Sequence, residues 1–134
     1  MKTLREIHLA ARPVGMPTQE NFRLVERAAP ELKQDEIAVK NLYLTVDPYM
    51  RGRMNDVKSY IPPFQIGEVM EGGAVGEVVQ SQNEKFPVGS KVLSSNGWRD
   101  GWVGAPKGVM KIDETIDAPP SAWLGALGMP GLTA

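Results

Sequence analysis

The stretch EIAVKNLYLTVDPYMRGRM, residues 36–54, carries the strongest β-strand signal in the chain and then changes character abruptly. Residues 36–46 are rich in β-branched and aromatic side chains, and the unbroken run LYLTV at 42–46 predicts a strand buried on both faces. Pro48 has no N–H to donate to a ladder and disfavours helical geometry at Asp47, so the strand is predicted to end there. Residues 47–54 are then expected to form a turn that either packs on the core or borders a binding site.

Outward from this stretch, 14 glycines and 11 prolines interrupt the chain at intervals, and helical periodicity is missing until its last dozen residues. This pattern predicts short strands joined by turns, in a small β-barrel or sandwich. Strands are predicted within residues 6–12, 21–29 (half-exposed), 67–81 (a strand pair), 86–95 and 101–112. In the segment 67–81, Gly72, Gly73 and Gly76 permit a bulge or a close approach of two backbones.

Composition limits the possible functions of the chain. Its 134 residues, 42% apolar and 23% charged, fit one globular domain, and 15 basic against 16 acidic residues leave no electrostatic footprint for nucleic acid or anionic lipid. The absence of cysteine excludes disulfides, thiolate catalysis and sulfur-ligated zinc, and is consistent with a cytoplasmic location. His8 cannot form a metal cluster alone, and no apolar run has the length of a signal peptide or a membrane span.

The C-terminal segment differs from the rest. Pro119 and Pro120 followed by Ser121 predict the start of a helix with serine as its N-cap, and the chain then ends on the apolar sequence GMPGLTA. We therefore expect residues 1–120 to form one domain and residues 121–134 to begin a helix that links it to a further domain.

Motifs for chemistry are few. The glycines of EGGAVGEV do not have G-x-G-x-x-G spacing, so a bent barrel strand is favoured over a phosphate-binding loop. Tyr43, inside the strongest strand, is predicted to be a core or half-buried side chain. Tyr49 lies just after the Asp-Pro turn and Tyr60 lies in a proline-braced loop, where both could line a cleft and a neutral phenol can donate a hydrogen bond to a carbonyl oxygen. For residues 47–54, the packing alternative is that the arginines are solvated and that Met50 and Met54 fill gaps in the core.

Three strings in order, LYLTVDPYMRGRM, SYIPPFQIGEVMEGGAVGEVV and LGALGMPGLTA, resemble the N-terminal half of the zinc-independent medium-chain dehydrogenase/reductases. The resemblance is to the branch of leukotriene B4 12-hydroxydehydrogenase and the prostaglandin, plant alkenal and bacterial curcumin reductases. It implies a mainly β, GroES-like, partly open β-barrel with short helices, followed by a Rossmann domain. It also implies NADPH-dependent reduction of the C=C bond of α,β-unsaturated ketones or aldehydes, without zinc, by a homodimer.

The resemblance also implies roles for individual residues. Tyr60 corresponds to the tyrosine that holds the substrate carbonyl and the nicotinamide ribose, and is expected to be catalytic. Tyr49 and Met50 belong to the motif that walls the nicotinamide pocket. Met129 and Thr133 resemble positions that approach the nicotinamide end of the cofactor.

Substrate shape is expected to come from Tyr49, Met54, Ile61 and Phe64, because an apolar wall suits lipid-like or aromatic enones. Two alternatives remain open: a quinone reductase of the same superfamily, and a non-catalytic GroES-like interaction module. The 134-residue chain alone is expected to be inactive, since the nucleotide-binding half of the cleft would lie outside it.

Overall fold

The computed structural model describes residues 3–46, 49–56 and 62–112 of the chain. These residues contain seven β-strands, a 3-10 turn and one short α-helix. The strands are β1 (Thr3–Leu9), β2 (Phe22–Ala28), β3 (Ile37–Leu44), β4 (Ala74–Ser81), β5 (Lys91–Ser94), β6 (Gly101–Gly104) and β7 (Met110–Lys111). The 3-10 turn covers Gln19–Asn21, and the helix α1 covers Tyr49–Arg53. The predicted strands at residues 21–29, 86–95 and 101–112 are thereby confirmed.

The strands form two antiparallel sheets. β1 and β2 pair over their full length, from Thr3 opposite Ala28 to Leu9 opposite Phe22. The second sheet has the order β6-β3-β4-β5-β7. Within the described residues neither sheet closes on itself, which confirms the predicted mainly β, partly open architecture with short helices. The second edge of β1 makes isolated bridges to Ile66, Val69 and Arg99, and so joins the two sheets.

Burial along β3 is the reverse of the prediction. The ladder between β3 and β6 covers residues 37–40, where Ile37, Ala38 and Val39 are at most 1% exposed. Beyond the end of that ladder, Leu42, Tyr43 and Leu44 are 40 to 47% exposed and Val46 is 74% exposed. The prediction that residues 42–46 are buried on both faces is therefore wrong, because the neighbouring strand β6 covers only the first half of β3.

The segment 67–81 holds one strand, not the predicted pair. Residues 66–70 bond to β1 instead, through Gly67 N to Leu9 O (2.8 Å) and Met70 N to Ile7 O (3.1 Å). The predicted close approach at Gly76 is confirmed: a Cβ there would overlap Val39 Cγ1 and lie 2.8 Å from the carbonyl oxygen of Lys40. The register of β3 against β4 shifts at two points, one of them beside Gly76.

Two apolar clusters fill the described part of the chain. The sheet cluster lies on the five-stranded sheet and contains Ile37, Val39, Val78, Val92 and Trp102. The methionine cluster lies under α1 and contains Leu9, Met50, Met54, Phe64 and Met70, with Phe22 and Trp98 packed against it. The methionine cluster is the one that positions the candidate site.

Several predicted features lie outside the described residues. They are the helix start at 119–121, the boundary after residue 120, the residues Tyr60, Ile61, Met129 and Thr133, and the side chain of Tyr49. Among the residues that are described, no helix is both long enough and apolar enough to cross a membrane.

Candidate functional site

The helix α1 stands where the sequence predicted a turn. Met50 lies in α1 and Met54 directly follows its last residue, four positions further on, and both side chains enter the methionine cluster. Met50 also packs on Gly72, where a Cβ would lie 2.6 Å from the methionine Cε. The small residue at position 72 therefore lets α1 sit close to the sheet.

Arg53 joins the end of α1 to residues 62–64. Its Nε donates a hydrogen bond to Pro62 O (3.0 Å), and its own carbonyl oxygen accepts one from Phe64 N (2.7 Å). The guanidinium carbon lies 4.2 Å from the centroid of the Phe64 ring, a cation–π contact. A more distant ion pair joins its Nη2 to Glu71 Oε2 at 3.5 Å.

Arg51 and Arg12 tie α1 to the loop that follows β1. Arg51 donates from Nε to Gly15 O (3.1 Å) and from Nη2 to Pro13 O (3.0 Å), while its Nη1 donates to Asn55 Oδ1 (2.8 Å). Arg12 donates from Nη1 to Met54 O (2.9 Å). Neither arginine of α1 is the freely solvated cation that the packing alternative assumed. Each uses its rigid fork of donors to fix neighbouring backbone.

The structure brings three of the predicted site residues together. Met50, Met54 and Phe64 share the methionine cluster and are 2, 5 and 4% exposed. With so little exposed surface, Met50 and Met54 fill the core, as the packing alternative predicted. Their direct contact with substrate or cofactor stays a prediction. Tyr49 is the first residue of α1, so its backbone is fixed by the same cluster.

A buried carboxylate lies on β1. Glu6, 3% exposed, has Oε1 3.0 Å from His8 Nε2 and Oε2 3.0 Å from Arg27 Nη2. The Oε2 contact is a close ion pair whose angle falls outside hydrogen-bond geometry. The other nitrogen of His8 lies 3.0 Å from Gly67 O, and Arg99 donates from Nη2 to Met70 O (3.2 Å). The contact of His8 with Gly67 O joins β1 to the segment 66–70.

The charges around Glu6 set its ionisation. Burial alone would raise the pKa of Glu6, but its contacts with Arg27 and His8 and the positive charges of Arg27 and Arg99 lower it below the ordinary 4.5. Burial lowers the pKa of Arg99, against the opposing charges of Glu6 and Glu71. Arg99 nonetheless stays protonated at neutral pH because an arginine starts from so high a value.

We expect the domain to lose stability in acid through Glu6. Because its pKa is lower in the folded state, ionised Glu6 stabilises the fold above the unfolded value of 4.5, and this contribution is lost as the pH falls through the folded pKa. In Glu6→Gln the urea midpoint should be lower near neutral pH and should fall less steeply on acidification. Urea unfolding over a pH series measures both, with the exposed Glu84→Gln as control. Equal acid slopes in wild type and Glu6→Gln would contradict the assignment.

Metal chemistry has no support in the described ranges, where no three His, Asp or Glu side chains lie close enough to share an ion. The sequence reasoning missed the three clamping arginines Arg12, Arg51 and Arg53. A signal for one of them was present, since Arg51 and Asn55 have the same four-residue spacing as Met50 and Met54.

Known proteins match this chain over most of its length. Residues 5–112 match a family model described as the N-terminal domain of oxidoreductase. The chain is 43% identical over 127 residues to the NADPH-dependent curcumin reductase of Escherichia coli, covering 94% of the chain and 36% of that protein. It is 41% identical over 123 residues to prostaglandin reductase 1 of Bos taurus, covering 90% and 35%.

Solved structures give the same result. The crystal structure of CurA from Vibrio vulnificus matches with a TM-score of 0.90 and 44% identity, over 97% of this chain and 38% of that one. CurA in complex with NADPH matches with a TM-score of 0.88 and 45% identity, over 96% and 38%. The chain thus spans little more than a third of the length of these relatives.

Proposed function

The chain belongs to the family of N-terminal domains of oxidoreductases, in the branch of curcumin and prostaglandin reductases, and from this premise we propose that it is the substrate-side domain of an NADPH-dependent enone reductase. The proposed reaction reduces the C=C bond of an α,β-unsaturated ketone or aldehyde. The curcumin reductase of Escherichia coli is NADPH-dependent by name, and CurA of Vibrio vulnificus has been crystallised in complex with NADPH. Both relatives support NADPH as the cofactor of the complete protein.

The observation that carries the proposal is that α1 packs on an apolar cluster while its two arginines are already bound to other parts of this domain. Both arginines of α1 already donate to carbonyl oxygens of this domain, so little of their donor capacity is left for a phosphate. The methionine cluster behind the helix is apolar throughout. A site beside this helix would suit the uncharged reacting end of a cofactor and a hydrophobic enone, with the phosphate-binding residues elsewhere in the complete protein.

The reaction requires a partner for the substrate oxygen. NADPH supplies a hydride to the β-carbon of the enone, and negative charge then collects on the carbonyl oxygen. We assign the Tyr60 hydroxyl to this oxygen as hydrogen-bond donor, with the α-carbon protonated by solvent. A phenol keeps its proton at neutral pH, so it donates without a prior ionisation step.

The remaining assignments are part of the same proposal. Tyr49 and Met50, with Met129 and Thr133, border the nicotinamide. Tyr49, Met54, Ile61 and Phe64 are assigned to the apolar part of the substrate. Residues 1–120 are the substrate-side domain and residues 121–134 begin the link to a Rossmann domain, in a cytoplasmic homodimer.

The test is a cofactor and substrate assay on the complete protein. NADPH oxidation should depend on added enone, and the product should be the saturated ketone with its carbonyl intact, as identified by mass spectrometry. The 134-residue chain alone should give no turnover. Turnover of quinones but not enones would favour the quinone reductase alternative. Absence of NADPH binding by the complete protein would favour the non-catalytic module.

A further inference from the structure

The two ends of the stretch that carries Tyr60 in the sequence meet at one residue, Arg53. The chain leaves α1 at Arg53, and nine positions further on the carbonyl oxygen of Pro62 accepts a hydrogen bond from Arg53 Nε at 3.0 Å. Phe64 N then donates to the carbonyl oxygen of Arg53 at 2.7 Å. Side chain and main chain of the same residue therefore fix the base of the segment 54–62.

The guanidinium of Arg53 is itself held in place. Its carbon lies 4.2 Å from the centroid of the Phe64 ring, a buried ring of the methionine cluster. Its Nη2 forms a longer ion pair with Glu71 Oε2 at 3.5 Å, and only 15% of the Arg53 side chain is exposed. Packing on a buried ring and an ion pair on the other side thus keep Nε directed at Pro62 O.

The first residue of the same segment has a second anchor. Arg12 donates from Nη1 to Met54 O at 2.9 Å. The two arginines thus bind carbonyl oxygens at both ends of the segment 54–62. Fixing both ends of a short segment restricts the positions that are open to the residues between them.

We propose that Arg53 is a positioning residue for the Tyr60 hydroxyl: by holding together the two ends of the segment 54–62, it sets the distance from that hydroxyl to the carbonyl oxygen of the enone. The inference rests on the proposed function, which it deepens by assigning the group that aligns the hydrogen-bond donor. Arg53 acts through Tyr60 and has no contact with substrate in this proposal. Alignment is costly to lose, because a displacement of about 1 Å can lower a rate by about a hundredfold.

The test is a double-mutant cycle in the complete protein. Arg53→Met removes the donors and keeps an apolar side chain against the Phe64 ring. In the wild-type background it should lower kcat for enone reduction roughly tenfold, with KM for NADPH within about twofold of wild type. In the Tyr60→Phe background it should change kcat by less than about twofold, because the hydroxyl that Arg53 positions is already absent.

A conservative variant and a matched control complete the cycle. Arg53→Lys keeps the positive charge but replaces the planar fork by one ammonium group, so it should lose about threefold in kcat, and only in the presence of the Tyr60 hydroxyl. The same cycle with Arg53→Lys decides the question if Arg53→Met does not fold. Arg5→Met is the control, since Arg5 also ion-pairs an acid, Asp100 at 3.3 Å, but on β1. Its effect on kcat should be equal in the two backgrounds.

The possible outcomes separate this inference from the proposed function. Equal kcat losses from the Arg53 variants in both backgrounds would overturn the inference alone, because Arg53 would then support the domain without acting through Tyr60. An unchanged kcat in Arg53→Met would overturn it as well. Unchanged turnover in Tyr60→Phe would remove the role of Tyr60 and the positioning role of Arg53 together. No enone turnover by the wild type would overturn the proposed function and the inference with it.

Discussion

Replacing Tyr60 by phenylalanine in the complete protein is expected to lower kcat for enone reduction by about a hundred- to a thousandfold. The change removes one hydroxyl and leaves the ring, so apolar contacts with substrate are kept. What is lost is a donor aimed at the oxygen on which negative charge collects, an interaction that is stronger in the transition state than in the ground state. The loss should therefore appear in kcat more than in KM.

The measurement is steady-state NADPH oxidation at saturating enone, with NADPH binding followed separately by fluorescence titration. Tyr43→Phe is the matched control, because Tyr43 is a partly exposed tyrosine of β3 and has no assigned role. Unchanged turnover in Tyr60→Phe would remove this residue from the mechanism. Tyr49 would then be the next hydroxyl to test.

A methyl group added at Gly76 is expected to lower the free energy of unfolding of the domain by about 2 to 3 kcal/mol. In Gly76→Ala the new Cβ would overlap Val39 Cγ1 and lie 2.8 Å from Lys40 O and 3.1 Å from Asn41 Oδ1. One of these neighbours is backbone, so the crowding can be relieved only by separating β3 from β4. That pair forms the centre of the five-stranded sheet.

Urea unfolding followed by tryptophan fluorescence measures this effect. Gly104→Ala is the matched control, since Gly104 lies in β6 of the same sheet and a Cβ there would meet nothing within 4 Å. We expect its unfolding free energy to stay within about 0.5 kcal/mol of wild type. Equal stability of the two variants would show that β3 and β4 are not packed as closely as described.

The fold was largely predictable because its signals are local. Glycine and proline punctuation marked the turns around β5, and the strong strand ends at Leu44, ahead of the stop that Pro48 predicts at Asp47. Burial was harder to predict, because it depends on which strand pairs with which. The apolar run at residues 42–46 is typical of a core strand. The pairing of β6 with β3 ends at Lys40, however, and the run beyond it is partly exposed to solvent.

The candidate site was predictable only through its motif. The string DPYMRGRM marked the segment that contains α1, but the three guanidinium groups that hold α1 by binding carbonyl oxygens were not predicted. An arginine that donates to a main-chain carbonyl oxygen can do so whatever the residue type of its partner. The Glu6 cluster was missed for a related reason, since Glu6, Arg27 and Arg99 are far apart in sequence.

The binding of Arg51 to main-chain oxygens has a consequence for how the loop that follows β1 can change during evolution. The carbonyls at positions 13 and 15 are present whatever side chains the loop carries, so the clamp places few demands on the residues at 14 and 16. Substitutions at positions 14 and 16 are therefore expected to leave the hydrogen bonds from Arg51 to the loop intact. The domain therefore separates a constant attachment from a surface that is free to vary while α1 stays in place.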